Sequence, residues 1–86
     1  MIVKELMELI QVRLVSCFQT VFPGLSEGAV LTANPENTAA WDSVAAITLF
    51  NVIEEEFQIQ IDLERLTELN SFPLLFDYLT KELNGK

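Results

Sequence analysis

The 86-residue chain carries thirteen acidic side chains against five basic ones, a formal charge of −8, and contains no histidine. That balance repels phosphate backbones and anionic lipid, which argues against nucleic acid as a ligand and in favour of partners with basic patches. Half of the residues are apolar, with three glycines and three prolines, so the expectation is one small domain over residues 1–86 with a single core, not a disordered chain.

The opening stretch "MIVKELMELIQVRLV" is broken by charges every few residues, so no export signal and no membrane insertion are expected from it. Residues 2 to 22 place Val3, Leu6, Met7, Ile10, Leu14, Cys17 and Val21 on one arc of a helical wheel, with Glu5, Glu8 and Gln19 opposite. A long amphipathic helix follows from that pattern. The single Cys17 falls in its apolar stripe and reads as a small core residue. One cysteine forms no internal disulfide, and without histidine no Cys/His metal site is expected. The setting inferred is reducing and cytoplasmic, and the chain is read as a monomer.

The helix stops at "FPGLSEG", where Pro23 and Gly24 break the pattern. The next nineteen or so residues up to Trp41 are a connection, long enough that a short helical turn is expected inside it, over Ser26 to Leu31 with Ser26 as its cap. Residues 43 to 57 form a second helix with Asp42 as N-cap; Ala45 at its third position leaves no reciprocal capping box. "DLERLTEL" reads as a short third helix capped by Asp62. "SFPLLFDYLTKEL" reads as a fourth, capped by Ser71, with Pro73 tolerated in the first turn and Phe72, Leu75, Phe76, Leu79 and Leu83 as its core stripe. "FQIQI" alternates but is too short and isolated to pair as a strand. The fold class is therefore all-α: a small bundle of three longer helices and one or two short ones, with a long first loop.

With Ile53 at the centre of the buried face of the second helix, Ala46, Leu49, Phe50 and Phe57 fall within roughly 60° of it at 100° per residue. Val44, Ile47, Thr48, Asn51 and Glu55 point the other way, Glu54 lies on the flank and Ser43 at the tip. Apolar positions beside acidic ones suit a transient protein-binding face; scattered exposed apolars are equally compatible with the wheel. Ser43 has no base to make it a nucleophile, since the chain lacks histidine. A phosphate ester on it would sit at the positive end of a helix dipole, which suits an attachment point.

"WDSVAAITLFNVIEEEFQIQI" resembles the attachment-site helix of the acyl carrier protein family, whose pattern is Asp-Ser-Leu, an apolar helix ending in Glu-Glu-Glu-Phe, and an Ile-x-Ile segment. The long first helix, the long loop and the closing "LTELNSFPLLFDYL" are similar to that family in order and length, so the resemblance covers nearly the whole chain. It implies a non-enzymatic carrier with 4′-phosphopantetheine from coenzyme A attached to Ser43 by a phosphopantetheinyl transferase, and an acyl group held as a thioester for partner enzymes. By the same resemblance Asp42 belongs to the attachment site, and Val44, Ile47, Thr48, Asn51, Glu54 and Glu55 meet acyl-loading or acyl-transferring partners. Glu56 reads as a solvated charge.

Val44 stands where the family usually has leucine or methionine, Ala45 and Thr48 where acidic residues are frequent, and Ala40 where glycine is frequent. These departures thin the charge around Ser43 and point to a specialised carrier. Trp41 reads as a side chain packing the loop onto the bundle, and Phe50, Phe57, Phe72 and Phe76 as core fillers. An unmodified helical interaction module and an aminoacyl or peptidyl carrier are the competing readings.

Overall fold

The computed structural model describes residues 3 to 84, with side chains described from residue 4; Ile2, expected at the start of the first helix, and the Val3 side chain lie outside it. The elements are α1 (Val3–Val21), α2 (Glu27–Val30), α3 (Ser43–Phe57), a 3₁₀ turn (Leu63–Leu66) and α4 (Phe72–Asn84). There is no strand among the described residues. The all-α bundle with two short helices is the architecture expected, and "FQIQI" is the end of α3 followed by irregular chain.

Local chemistry sets the boundaries. Asp42 accepts the Ala45 N–H at 2.8 Å, Ser26 the Ala29 N–H at 3.2 Å, Asp62 the Glu64 N–H at 3.0 Å and Ser71 the Leu74 N–H at 3.2 Å. Each cap satisfies a donor that the first turn of a helix leaves unpaired. At the other end of α3, Gln58 takes a left-handed conformation (φ 55°, ψ 49°), and its N–H and that of Ile59 both bond the Glu54 carbonyl. That reversal ends the helix without glycine. The third helix is a 3₁₀ turn over Leu63–Leu66, shorter than "DLERLTEL"; beyond it the N–H groups of Glu68 and Leu69 both bond the Arg65 carbonyl.

α1 is the central element and packs against α2, α3 and α4. Because neighbours cover it on several sides, its buried sector is wider than one stripe: Ile10, Leu14, Val15, Cys17 and Phe18 are all buried, spanning roughly 160° at 100° per residue. Leu6 and Val21 are half-buried, and Met7, expected in the stripe, is exposed near the helix start. On α4, Phe72, Leu75 and Leu79 are buried while Phe76 and Leu83 are half-buried.

Phe18 joins three parts of the fold. Its ring meets Trp41 edge-on at 5.4 Å and Phe72 edge-on at 5.3 Å, with Phe22 at 6.2 Å. Trp41, only 6% exposed, lies 5.6 Å from Phe22 as well, so it packs the long loop onto the bundle as expected. The loop is further closed by its own polar groups. Asn34 Oδ1 accepts the N–H groups of Glu36 and Asn37, Asn37 Oδ1 accepts the Asn34 N–H, and the Asn37 amide donates to the Thr32 carbonyl, each at 2.9 Å. The Phe72 N–H donates to the Ala33 carbonyl at 3.0 Å, which ties the loop to the start of α4.

Cys17 is buried between these helices. Burial, with the negative charge of Glu56 second, raises its thiol from an ordinary 9.0 to about 11, while its backbone hydrogen bond acts weakly in the opposite sense. A folded value above the unfolded one stabilises the protein below pH 9, and that contribution is lost as pH rises from about 9 to 11. Chemical denaturation across this window should show stability falling more steeply in the wild type than in Cys17→Ala. Tyr78, also raised by burial and then by Glu82, contributes equally to both proteins, and parallel slopes would contradict the assignment.

Candidate functional site

Ser43 is the first residue of the 15-residue α3 and is exposed to solvent. Since Asp42 makes the capping bond to Ala45 N–H, the serine is not needed to start the helix. From this end the exposed residues Val44, Ile47, Thr48, Asn51 and Glu55 follow one another at spacings of one, three and four along α3. Val44 is 72% exposed and Ile47 39%. The Thr48 hydroxyl is turned onto its own helix, donating to the Val44 carbonyl at 3.0 Å, which reduces what it offers to a partner.

Glu54 differs from its neighbours. It is half-buried, and its Oε2 accepts the Ile61 N–H at 2.7 Å across the α3 C-terminus. That bond draws the "QIQI" segment back against the helix and places Ile61 in the core, 5% exposed. Glu54 is thus a latch on the flank of the face, and Glu55 is the glutamate that projects from it. Glu56 lies 3.7 Å from Arg13 of α1 with both side chains nearly half exposed, a pairing of small energetic weight.

A charge-assisted bond to a backbone N–H is worth about 1.5–3 kcal/mol, so Glu54→Ala should lower unfolding stability by about that amount and Glu54→Gln by less. Hydrogen exchange at Ile61 reads the same bond directly. Equal protection of that amide in wild type and Glu54→Ala would refute the latch.

A cleft of about 240 Å³ opens beside Ser43. Asp42, Ser43 and Ala46 form its α3 side, Trp41 and Pro35 come from the loop, and Leu66, Thr67 and Asn70 from the 3₁₀ turn and the chain after it. The 3₁₀ turn packs on α3. It is also held to α4, where the Arg65 guanidinium lies 5.3 Å over the Tyr78 ring, and by Leu69, buried in the core. The aromatic cluster fixes Trp41, so the cleft is walled by three separately anchored pieces of chain. Pro35, Leu66, Thr67 and Asn70 carry no sequence signal for this position; only the tertiary packing brings them to Ser43.

A second, open hollow of about 1130 Å³ lies at the other end of α3, bounded by Asn51, Glu54, Glu55, Gln58, Ile59 and Asp62 among others. Its carboxylates extend the acidic character of the exposed face beyond the helix end. Among the described residues no group of histidine, cysteine and carboxylate side chains is placed to hold a metal ion, and no helix is long and apolar enough to cross a membrane. No protein-family model matches the chain, and no curated protein or solved structure matches it significantly.

Proposed function

We propose that the protein is a specialised carrier of the acyl-carrier type, itself without catalytic activity, in which Ser43 bears 4′-phosphopantetheine and α3 is the partner face. One observation carries this reading. An exposed serine hydroxyl stands at the first position of a 15-residue helix whose cap is supplied by another residue, Asp42. The unpaired N–H groups and positive dipole end of such a helix favour a phosphodiester there by about 0.3–1 kcal/mol. When bound, the prosthetic group supplies a thiol that holds the acyl cargo as a thioester.

The chain's own residues do the rest. Ser43 provides the oxygen to which a phosphopantetheinyl transferase joins the arm from coenzyme A, and Asp42 holds that helix end in place. Val44 and Ile47 offer apolar contact for loading and transferring enzymes, and Glu55, Asn51 and the carboxylates at the α3 C-terminus steer their basic patches. Since Glu54 also holds the fold, Glu55→Lys is the variant that reads steering alone. It should slow loading by up to about tenfold at low ionic strength and by less as salt screens the field. Rates that are unchanged at every salt concentration would remove Glu55 from the partner face.

The reading is tested by counting reactive thiols in the native state. Cys17, buried and with a raised pKa, reacts slowly with a disulfide reagent. Incubation with coenzyme A and a broad-specificity phosphopantetheinyl transferase should therefore add one fast-reacting thiol per chain. No new thiol would defeat the proposal.

A further inference from the structure

The neighbours of α1 leave one of its sides open. Val12 is 68% and Leu9 48% exposed, and both share a sector of about 100° with the exposed Glu5 and Glu8, away from the buried side of the helix. Leu9 also stands at the edge of a cleft of about 280 Å³, whose other walls are Leu6, Ile10 and Arg13 of α1, Phe57 at the end of α3 and Leu83 of α4. The apolar surface is therefore continuous from Val12 over Leu9 into that cleft. We propose that this surface docks an amphipathic helix with basic side chains from another protein, as a second partner site separate from the α3 face. The inference is independent of what Ser43 carries.

Size, charge and place each support that occupant. Taking about 30 Å³ per water-sized group, the cleft accommodates roughly nine of them, the bulk of one large aromatic or branched side chain. Its walls are apolar except for Arg13, whose charge is offset by Glu56 at 3.7 Å, so it favours an apolar anchor over an anion. Beside it Leu9 and Val12 offer further contacts at a spacing of three, as a helix laid along α1 requires. Glu5 and Glu8 rim these two residues, while Lys4 stands about 40° further round toward the core. The chain as a whole, at −8, attracts a basic segment and repels both a second copy and anionic lipid. Phe57 ends the helix that Ser43 begins, roughly 21 Å away along its axis. A partner held on α1 therefore leaves Ser43 and the start of α3 free to meet others.

The test titrates the full-length, methyl-labelled protein with a helical peptide of leucine and lysine carrying one phenylalanine on its apolar face, followed by nuclear magnetic resonance. A second peptide has glutamate in place of every lysine. The lysine peptide should bind saturably and shift the Leu6, Leu9, Val12 and Leu83 methyls, and the glutamate peptide should shift none. Leu9→Asp should weaken binding about tenfold. Glu5→Lys combined with Glu8→Lys, which keeps the apolar surface, should weaken it at low salt and matter little at high salt. All three positions are exposed, and circular dichroism checks that the variants fold. Shifts confined to Val44 and Ile47 of α3, or equal binding of the two peptides, would overturn the proposal. The same methyl shifts on raising the protein concentration alone, with a dimer in sedimentation, would overturn it too and make the surface an interface between copies.

Discussion

Phe18→Ala should destabilise the protein by about 3–5 kcal/mol. The ring is fully buried and meets Trp41 of the loop, Phe72 of α4 and Phe22 beyond α1. Its removal leaves a cavity where three pieces of the fold converge, and each aromatic pair forfeits a contribution on the order of 0.5–1.5 kcal/mol beyond area burial. Small domains have unfolding free energies of roughly 5–15 kcal/mol, so the variant stands near the limit of folding at physiological temperature. Phe18→Leu, which keeps most of the volume, should lose substantially less. Urea denaturation followed by circular dichroism measures both, and the emission of Trp41, the single tryptophan, reports whether the loop detaches first. A loss below about 1 kcal/mol for Phe18→Ala would show that the loop and α4 are held by other contacts.

The second large effect separates fold from function. Ser43→Ala should abolish modification completely while changing stability by no more than about 0.5 kcal/mol, as for other exposed sites without a structural role. The reason is the division of labour at the start of α3: Asp42 makes the bond to Ala45 N–H, and Ser43, exposed, contributes only its place in the first turn. Asp42→Ala should behave in the opposite way and lose about 1 kcal/mol, the usual value of such a cap. If Ser43→Ala unfolded the protein, the serine would be a structural residue and the attachment reading would lose its main support.

Much of the architecture was legible because it rests on local signals. Asp42, Ser26, Asp62 and Ser71 all cap the elements they precede, and the buried face of α3 is the one set by the wheel: Ala46, Leu49, Phe50, Ile53 and Phe57. What escaped the sequence depends on long-range packing. Phe18 lies about 80° from Ile10 on the wheel and outside the stripe assigned to α1, yet it is fully buried because the loop and α4 reach around that side. The long connection offered turn-forming residues but no hint that Asn34 and Asn37 bond each other's backbone or that Ala33 accepts from Phe72.

The candidate site divides along the same line. Ser43, Asp42 and the exposed row from Val44 to Glu55 follow from helical periodicity, since one helix carries them all. Periodicity places Glu54 on the flank of that row; that its carboxylate also meets Ile61 N–H is set by the left-handed turn at Gln58, which periodicity does not encode. The cleft walls at Leu66, Thr67 and Asn70 were illegible for a related reason. Nothing in their local sequence distinguishes a residue facing Ser43 from one facing solvent.

The most direct measurement of the central claim is site-resolved mass spectrometry of the protein after incubation with coenzyme A and a phosphopantetheinyl transferase. A single phosphopantetheine is expected on the fragment containing Ser43 and none in Ser43→Ala. An unmodified wild-type chain, or an addition that maps to another residue, would contradict it.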